Sequence, residues 1–517
     1  MNKKNYLKIG FSPDLSGKDK LIYRMLEIFP GFLAWLTLGG MILGSYFYPV
    51  GAAFFIIVFD IYWLVKTVFL SFHLRANWKR MQEHLHTDWS ERLLRLNWGH
   101  LWQVVILPMS QEPEIVVRHS LEAIAKSAWP KEKMIVVLTY EERYRPHGEE
   151  VARSLGRMTG QFSHFLITMH PKNISGEIPG KGGNESWAAR EAKKIFIDPM
   201  KIPYEDIIVS SFDIDTQIPK QYFEILAWHF LTAKDPVRSS YQPVPIFNNN
   251  IWDAPALSRV VATSGTFWQM MQQERPERLT TFSSHSMSFK TLVGLDFWQT
   301  NIVSEDSRIF WNALLYYDGD YESLPLSFPV SMDANLAPTF WGTVKNVYKQ
   351  QRRWAWGVEN FPYVVFGFIK NSAQGGSASG GKKISLRTKL YYMFNMIEGY
   401  WSWSTNAIMI FALGWLPVLL GGREFNNLVL AYNLPNITRV IMTFSMIGLI
   451  TSAIISMKLL PPRPAHYGKR RHTYMALQWL LVPFTITIFG SIPALEAQTR
   501  LMLGKYMGFW ITPKHRK

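Results

Sequence analysis

Three clusters of reactive side chains stand in order along the chain: Asp213-Ile214-Asp215, then Ser304-Glu305-Asp306, then Gln350-Gln351-Arg352-Arg353-Trp354. Asp213 and Asp306 are 93 residues apart, and Asp306 and Gln350 are 44 apart. Together these residue types offer oxygen ligands for a divalent cation on a diphosphate, a carboxylate able to deprotonate an attacking hydroxyl, and an arginine beside an indole. A departing diphosphate develops negative charge, which Mg²⁺ held by one or two protein carboxylates stabilises. Asp213 and Asp215 are expected on one face of an extended segment, about 7 Å apart. Gln350, Arg353 and Trp354 fall at i, i+3 and i+4, which puts them on one face of a helix. There a guanidinium can fork onto phosphate oxygens and the indole can floor a neighbouring site. Glu305 and Asp306 precede Ile309, Phe310 and Leu314, so they also suit a helix N-terminus. A second Asp-x-Asp, Asp318-Gly319-Asp320, reads as a turn.

The elements that must position these groups come from the apolar runs. Residues 102–107, 134–139 and 206–212 are rich in Val and Ile, with helical patterns at 114–128 and 185–196 between them. That alternation predicts a parallel α/β sheet with crossover helices. Ligands bind at the carboxyl ends of the strands in such sheets, and Asp213 directly follows one. Outside this middle, residues 28–59, 399–422, 440–457 and 473–495 contain no Asp, Glu, Lys, Arg or His, and each run approaches bilayer length. Spans are expected at about 28–48, 50–72, 399–422 and 440–457. Pro483 and Pro493 interrupt the last run, which reads as a re-entrant or interfacial element, or else a fifth span. The first apolar stretch is too long for a secretory signal peptide. The net charge of +16 does not point to nucleic acid. The basic residues collect beside the apolar runs, at Lys3, Lys4, Lys8, Lys18, Lys20 and Arg24 and again at Lys458, Arg463, Lys469, Arg470 and Arg471. This positive-inside pattern places both segments in the cytoplasm. With no cysteine, disulfides and thiolate metal sites are excluded.

In order and type, the three clusters resemble those of membrane-embedded family 2 glycosyltransferases, the group of cellulose, chitin and hyaluronan synthases. The resemblance covers residues 98–360 well. It implies an α/β GT-A-like (Rossmann-like) cytoplasmic catalytic domain flanked by transmembrane α-helices, in an integral protein of the plasma (inner) membrane. It makes Asp306 the general base. Asp213 and Asp215 become the ligands of Mg²⁺ or Mn²⁺, with Asp213 also facing the donor. Gln350 and Arg353 become donor-site residues beside Glu305, and Trp354 the floor of the acceptor site. Gly180-Lys181-Gly182-Gly183-Asn184 looks like the family's glycine-lysine segment, with Lys181 near the donor phosphates. Phe509-Trp510-Ile511-Thr512-Pro513-Lys514 looks like the cellulose synthase gating loop, which closes over nucleotide and here would use Thr512 and Lys514. His285 falls where the family has a small-residue acceptor segment, and an ordinary structural histidine is the plainer reading. The chain departs from the family at Pro108-Met109-Ser110-Gln111-Glu112, which keeps only the proline and the glutamate. It departs again at Thr139-Tyr140-Glu141-Glu142, so a base-reading carboxylate would be Glu141 or Glu142, with Glu112 nearby.

The expected organisation is a cytoplasmic segment at 1–27, a transmembrane hairpin at 28–72 and the catalytic domain at 73–340. Interfacial helices and a Gly/Ser linker (372–381) follow at 341–397, then a transmembrane pair at 398–457. A basic loop, the re-entrant element and the gating-loop-like tail fill 458–517. The implied partners are a nucleotide sugar (a UDP-sugar first), a polysaccharide or lipid-linked glycan acceptor, and membrane lipids, with no nucleic acid. Four spans make only a modest channel for a product, which leaves room for self-association or an accessory subunit. Two other readings stand beside processive synthesis: a non-processive transferase that adds one sugar to a lipid, and a nucleotide-binding transporter or scaffold without chemistry.

Overall fold

The computed structural model describes residues 5–373 and 383–516. Lys3, Lys4 and most of the expected linker at 372–381 lie outside the described residues. The middle of the chain forms a seven-stranded sheet: β1 (Trp102–Met109), β2 (Met134–Glu141), β3 (His164–His170), β4 (Ile207–Ser211), β5 (Ser239–Ile246), β6 (His285–Ser288) and β7 (Glu322–Ser331). Its spatial order is β3-β2-β1-β4-β6-β5-β7. The sheet is mixed rather than all parallel. β3, β2, β1 and β4 run parallel, whereas β6 runs antiparallel to both β4 and β5. β2 and β4 are buried at every position, as strands covered on both faces must be. Alternate residues of β1 feed different cores. Val105 and Leu107 pack with Leu121, Val136 and Phe223, and Val104 and Ile106 pack with Ala188, Val209 and Trp298.

Register fixes the working edge. Met109 pairs with Tyr140 and Ile106 with Ser211, so β1, β2 and β4 all end on the same side. β5 and β7 were not anticipated, because Pro243, Pro245, Pro325 and Pro329 argue against strands. The sheet tolerates them at a break in register between Gln242 and Val244. Pro243 and Pro245 also lie beyond the Ser240–Tyr241 stretch that pairs with β6.

The helices that serve the site are, in chain order, α1 (Gly17–Phe47), α2 (Pro49–His86), α3 (Lys181–Ala192), α4 (Ala256–Gln273), α5 (Glu305–Tyr316), α6 (Phe340–Ala355), α7 (Asn360–Ala373), α8 (Leu386–Ile408) and α9 (Val429–Lys458). Among the described residues, four helical runs are long and apolar enough to cross a membrane: α1, α2, α9 and Arg470–Met502. The last joins α, 3₁₀ and π turns, with Pro483 and Pro493 each in the first turn of a short α-segment. The run at 399–422 is divided instead among the end of α8, a π turn at Met409–Leu413 and two five-residue helices.

Two attachments tie the apolar helices to the sheet. α2 runs on beyond its apolar part to the edge strand β7, where His84 Nδ1 meets Leu326 O at 2.8 Å and Asn77 Nδ2 donates to Ser327 Oγ at 3.0 Å. This helix covers a sheet edge that would otherwise offer unpaired backbone groups. On the other side, Glu496 accepts from Tyr348 (2.8 Å) and Arg352 (2.6 Å) of α6.

Behind the site, the fully buried Arg308 of α5 stitches three segments together. Nε donates to Asn360 Oδ1 (2.6 Å), Nη1 to Ile9 O and Gln299 Oε1 (3.2 Å each), and Nη2 to Glu359 O (3.2 Å). Its plane lies 3.9 Å from the Tyr363 ring centroid. Arg308→Met would strand these buried acceptors, and is expected to cost at least about 3 kcal/mol. The melting midpoint of the solubilised protein should fall, and Arg308→Lys should recover only part of it because an ammonium lacks the planar fork.

Candidate active site

The carboxyl ends of β1, β2 and β4, the starts of α3 and α5, and one face of α6 surround a cavity of about 160 Å³. Glu112, Glu141, Lys181, Asp213, Asp215, Asp306, Gln350, Arg353, Trp354, Thr512 and Lys514 all reach its wall. Three motifs distant in sequence therefore meet in one cleft: the parallel strands deliver Asp213 and Asp215 to this edge, and α5 and α6 bring the other two motifs against it.

Lys181 stands at the centre. Its Nζ lies 2.7 Å from Asp213 Oδ1, 2.7 Å from Asp306 Oδ1 and 3.3 Å from Glu185 Oε1. Close backbone packing holds it there. A Cβ on Gly182 would come within 2.8 Å of Gln299 O, and one on Gly180 within 2.8 Å of the Phe509 side chain. Burial alone would lower the lysine's pKa, but the carboxylates around it hold it well above its ordinary value. Burial likewise works to raise Asp213, yet Lys181 and Lys514 overcome it and keep this carboxyl well below the usual range. Asp306 differs: burial pushes it up to about 6 against the pull of Lys181. One ammonium thus faces an aspartate that strongly favours its ionised form and another that burial pushes toward a neutral one.

Asp213 and Asp215 do not share one extended face. The chain turns directly after β4, closed by Thr216 N donating to Asp213 O at 2.9 Å. Asp213 faces Lys181 and accepts from Ser283 Oγ at 2.6 Å. Asp215 is fully buried, accepts from Asp333 N at 2.8 Å and from Lys514 Nζ at 2.6 Å, and leaves Oδ1 without a partner. Burial raises its pKa despite Lys514. Among the described residues no group of three or more His, Asp or Glu gathers as a metal cage. Two hard carboxylates, one with an orphaned buried oxygen, fit a cation that takes its remaining ligands from phosphate and water.

Glu305 lies behind the wall. Both its carboxyl oxygens are buried without hydrogen-bond partners, and burial, then Asp306, hold its pKa well above the usual range. Glu359, which sequence reasoning missed, fixes the loop that carries Asp306. Its Oε1 accepts from Val303 N (3.1 Å), Ser304 N (2.8 Å) and Ser304 Oγ (2.6 Å), while Oε2 accepts from Trp356 Nε1 (2.8 Å). On α6, Trp354 sits between Phe247 and Phe282, with ring centroids 5.8 and 5.7 Å away. Arg353 lies 4.9 Å over Phe509 and its buried Nε has no partner. Gln350 is half-committed, accepting a long 3.5 Å bond from Asn335.

The tail threads this cleft. Thr512 is buried with an unpartnered hydroxyl. Beyond Lys514, Arg516 Nη2 donates to Asp333 Oδ1 at 2.7 Å and Nη1 meets His119 Nδ1 at 2.7 Å. Asp333, also missed, follows β7 in the same way that Asp213 follows β4. Its signal was hidden with the proline-bearing strand. Glu112 and Glu141 are in the wall but engaged: Ser110 N donates to Glu112 at 2.7 Å and Arg143 to Glu141 at 2.5 Å. Burial raises both. His285 is buried, its Nδ1 2.9 Å from Ser283 O and 3.9 Å from Asp306 Oδ1.

No protein-family model matches the chain, and no curated protein does. Solved structures do match. One is the mannosyltransferase PcManGT from Pyrobaculum calidifontis in complex with GDP-Man and Mn²⁺, at 14% identity and TM-score 0.39 over 78% of this chain and 99% of that one. Another is residues 1–349 of S. aureus TarS, at 9% identity and TM-score 0.36 over 68% and 90%. The same TarS fragment in complex with UDP-GlcNAc matches at 10% identity, TM-score 0.36, over 68% and 90%. At such scores the functional reading rests on the cleft itself.

The tail contacts give a direct expectation. Replacing Lys514 and Arg516 together by Met removes both ion pairs, and a broken buried pair costs about 3–5 kcal/mol. Amide hydrogen exchange over residues 506–512 should rise at least tenfold, and unchanged protection would mean that the aromatic contacts alone hold the tail.

Proposed function

We propose that the chain is an integral membrane glycosyltransferase that moves a sugar from a nucleoside diphosphate to an acceptor hydroxyl, with inversion at the anomeric carbon. The observation that carries this reading is the placement of Asp306. Burial pushes this carboxyl of the cleft wall up to about 6, and it shares Lys181 with Asp213 while facing the arginine and indole of α6. Asp306 takes the proton of the acceptor hydroxyl. The oxygen attacks the anomeric carbon, and the bond to the diphosphate breaks with its electron pair leaving on the nucleotide. Lys181 positions Asp306 and Asp213 relative to one another. Arg353, through its unpartnered Nε, and Thr512, through its hydroxyl, suit phosphate oxygens. Trp354, steadied by Phe247 and Phe282, floors the acceptor site. Asp213 and Asp215 would hold Mg²⁺ or Mn²⁺, which supplies charge stabilisation for the leaving diphosphate.

The acceptor in this reading is a growing polysaccharide or a lipid-linked glycan, because apolar helices bracket the catalytic domain and α6 is tied to one of them. The domain and the basic 458–471 loop are placed in the cytoplasm on charge grounds. Glu141, which lines the cleft, or Glu142 is the group proposed to read the base of the donor.

The test is nucleotide release by the solubilised full chain from a panel of UDP- and GDP-sugars, with Mg²⁺ or Mn²⁺ and glycan or lipid acceptors. Asp306→Asn should lower turnover by about 10²- to 10⁴-fold. A mutant as active as wild type would remove Asp306 from the chemistry, and no release from any donor would sink the transferase reading. Product length separates chain synthesis from single transfer. Because the base works only when ionised, turnover should be present above pH 6 and lost below it as Asp306 titrates. Lys181→Met, lacking the cation that favours the carboxylate, should move this acidic limb upward by about 1 unit or more.

A further inference from the structure

Away from the cleft, two guanidiniums converge on one short loop, and among the described residues neither has an ion-pair partner. Arg259, in the first turns of α4, is 3% exposed. Its Nη1 donates to Ala254 O and its Nε to Gln478 Oε1, both at 2.6 Å. Arg471 Nη2 donates to Trp252 O at 2.7 Å, its plane lies 5.0 Å from the Tyr467 ring, and its Nε is buried with no partner. The two side chains therefore hang on carbonyls two residues apart, and every acceptor they use is neutral.

The elements that carry the two arginines supply no balancing charge. Residues 254–273 contain no Asp or Glu, and neither do residues 425–495. Among the described residues, neither arginine forms an ion pair with a carboxylate. Asp253, the acid between the two carbonyls, receives the Tyr467 hydroxyl at 2.5 Å instead. Lys469, Arg470 and His472 stand exposed alongside and add only positive charge. Burial, then repulsion by Arg471, push Arg259 down to about 10. The contrast with Arg308 is informative: that guanidinium spends its donors in four hydrogen bonds and stacks on an aromatic ring. Arg259 makes two and Arg471 one. Buried cations without counter-ions are costly, and a guanidinium pair with spare donors matches phosphate oxygens.

We infer that Arg259 and Arg471 form a binding site for a phosphate group, apart from the donor cleft. Trp252, Ala262 and Met475 beside the pair belong to the same apolar cluster as Trp354. Six residues along α4, about 9 Å by helical rise, a Cβ on Gly265 would lie 3.6 Å from the Trp354 indole. A phosphate on the pair thus sits one helix segment away from that platform. The flanking loop follows directly on α9, a helix apolar enough to cross a membrane, so the phosphate can come from a lipid or from solution. The inference does not require the transfer chemistry proposed above.

Hydrogen exchange of the full chain in detergent tests it, with short-chain phosphatidic acid, the matching diacylglycerol and inorganic phosphate as probes. Peptides spanning 252–262 and 467–475 should gain protection with phosphatidic acid and none with diacylglycerol. Arg471→Gln should weaken the half-saturating concentration at least tenfold, while Arg471→Lys keeps most of it. Equal protection by inorganic phosphate assigns a soluble anion as the source, and protection by phosphatidic acid alone assigns a lipid-borne one. Either supports the site. No protection by any phosphate, or the same protection in Arg471→Gln as in wild type, overturns it. Arg471 is only partly buried, so its variants test the site even if Arg259→Gln fails to fold.

Discussion

The cleft depends on one buried ammonium held by three carboxylates. Without Lys181, Asp213, Asp306 and Glu185 would bring like charges together in a poorly hydrated space, and such groups protonate or move apart. With it, the ends of β4, α3 and α5 are drawn to a point. The arrangement is asymmetric, which is what makes it useful. Asp213 has a second cation in Lys514 and a hydroxyl in Ser283, and stays ionised. Asp306 has less support and keeps a proton-exchanging carboxyl at the same centre. Glu185 sits deeper, where burial pushes it up to about 7, and its hydrogen bond with Ser211 ties the cluster back into β4.

Around that centre the supporting contacts come from remote stretches of chain. Glu359 gathers the backbone ahead of Asp306 and the indole after α6, so Asp306 and the Arg353-Trp354 face share one anchor. Glu27 of α1 plays a similar part for the tail. It accepts from Ser12 N at 3.0 Å and from Tyr506 OH at 2.9 Å, while Phe11 packs on Tyr506 with ring centroids 4.3 Å apart. The N-terminal segment, the first apolar helix and the root of the tail are thereby one unit, and the tail enters the cleft from a fixed origin.

Much of this could be read from the chain. The Val- and Ile-rich runs at 102–107, 134–139 and 206–212 are strands, and the helices at 114–125 and 181–192 fall close to the expected patterns. Most residues proposed for the site meet in one cleft; Glu305 lies behind its wall, and Glu142 stands outside it, accepting from Lys172 N. What escaped has identifiable causes. Period-based reading misses strands that contain proline, so β5, β7 and Asp333 behind them were invisible. The turn after β4 divides Asp213 from Asp215, because backbone direction just past a strand is set by long-range partners such as Ser283 and Asp333. Glu359 carries no local signature, since its four acceptor bonds are to groups folded around it. The division at 409–415 reflects a π turn, which composition does not reveal.

The reach of α2 has a mechanical consequence. Its 38 residues at about 1.5 Å each span about 57 Å, roughly twice the thickness of a hydrocarbon layer. The surplus is a rigid strut bonded to the last strand of the sheet. Were α2 to cross a bilayer, a strut of that kind would set the stand-off between the sheet and the bilayer as a constant of the fold. The lipid-linked acceptor proposed above would then come to the cleft along its own length. In such a machine the geometry of delivery is read on a ruler, and shortening the strut by one helical turn would lower the sheet toward the membrane by about 5.4 Å.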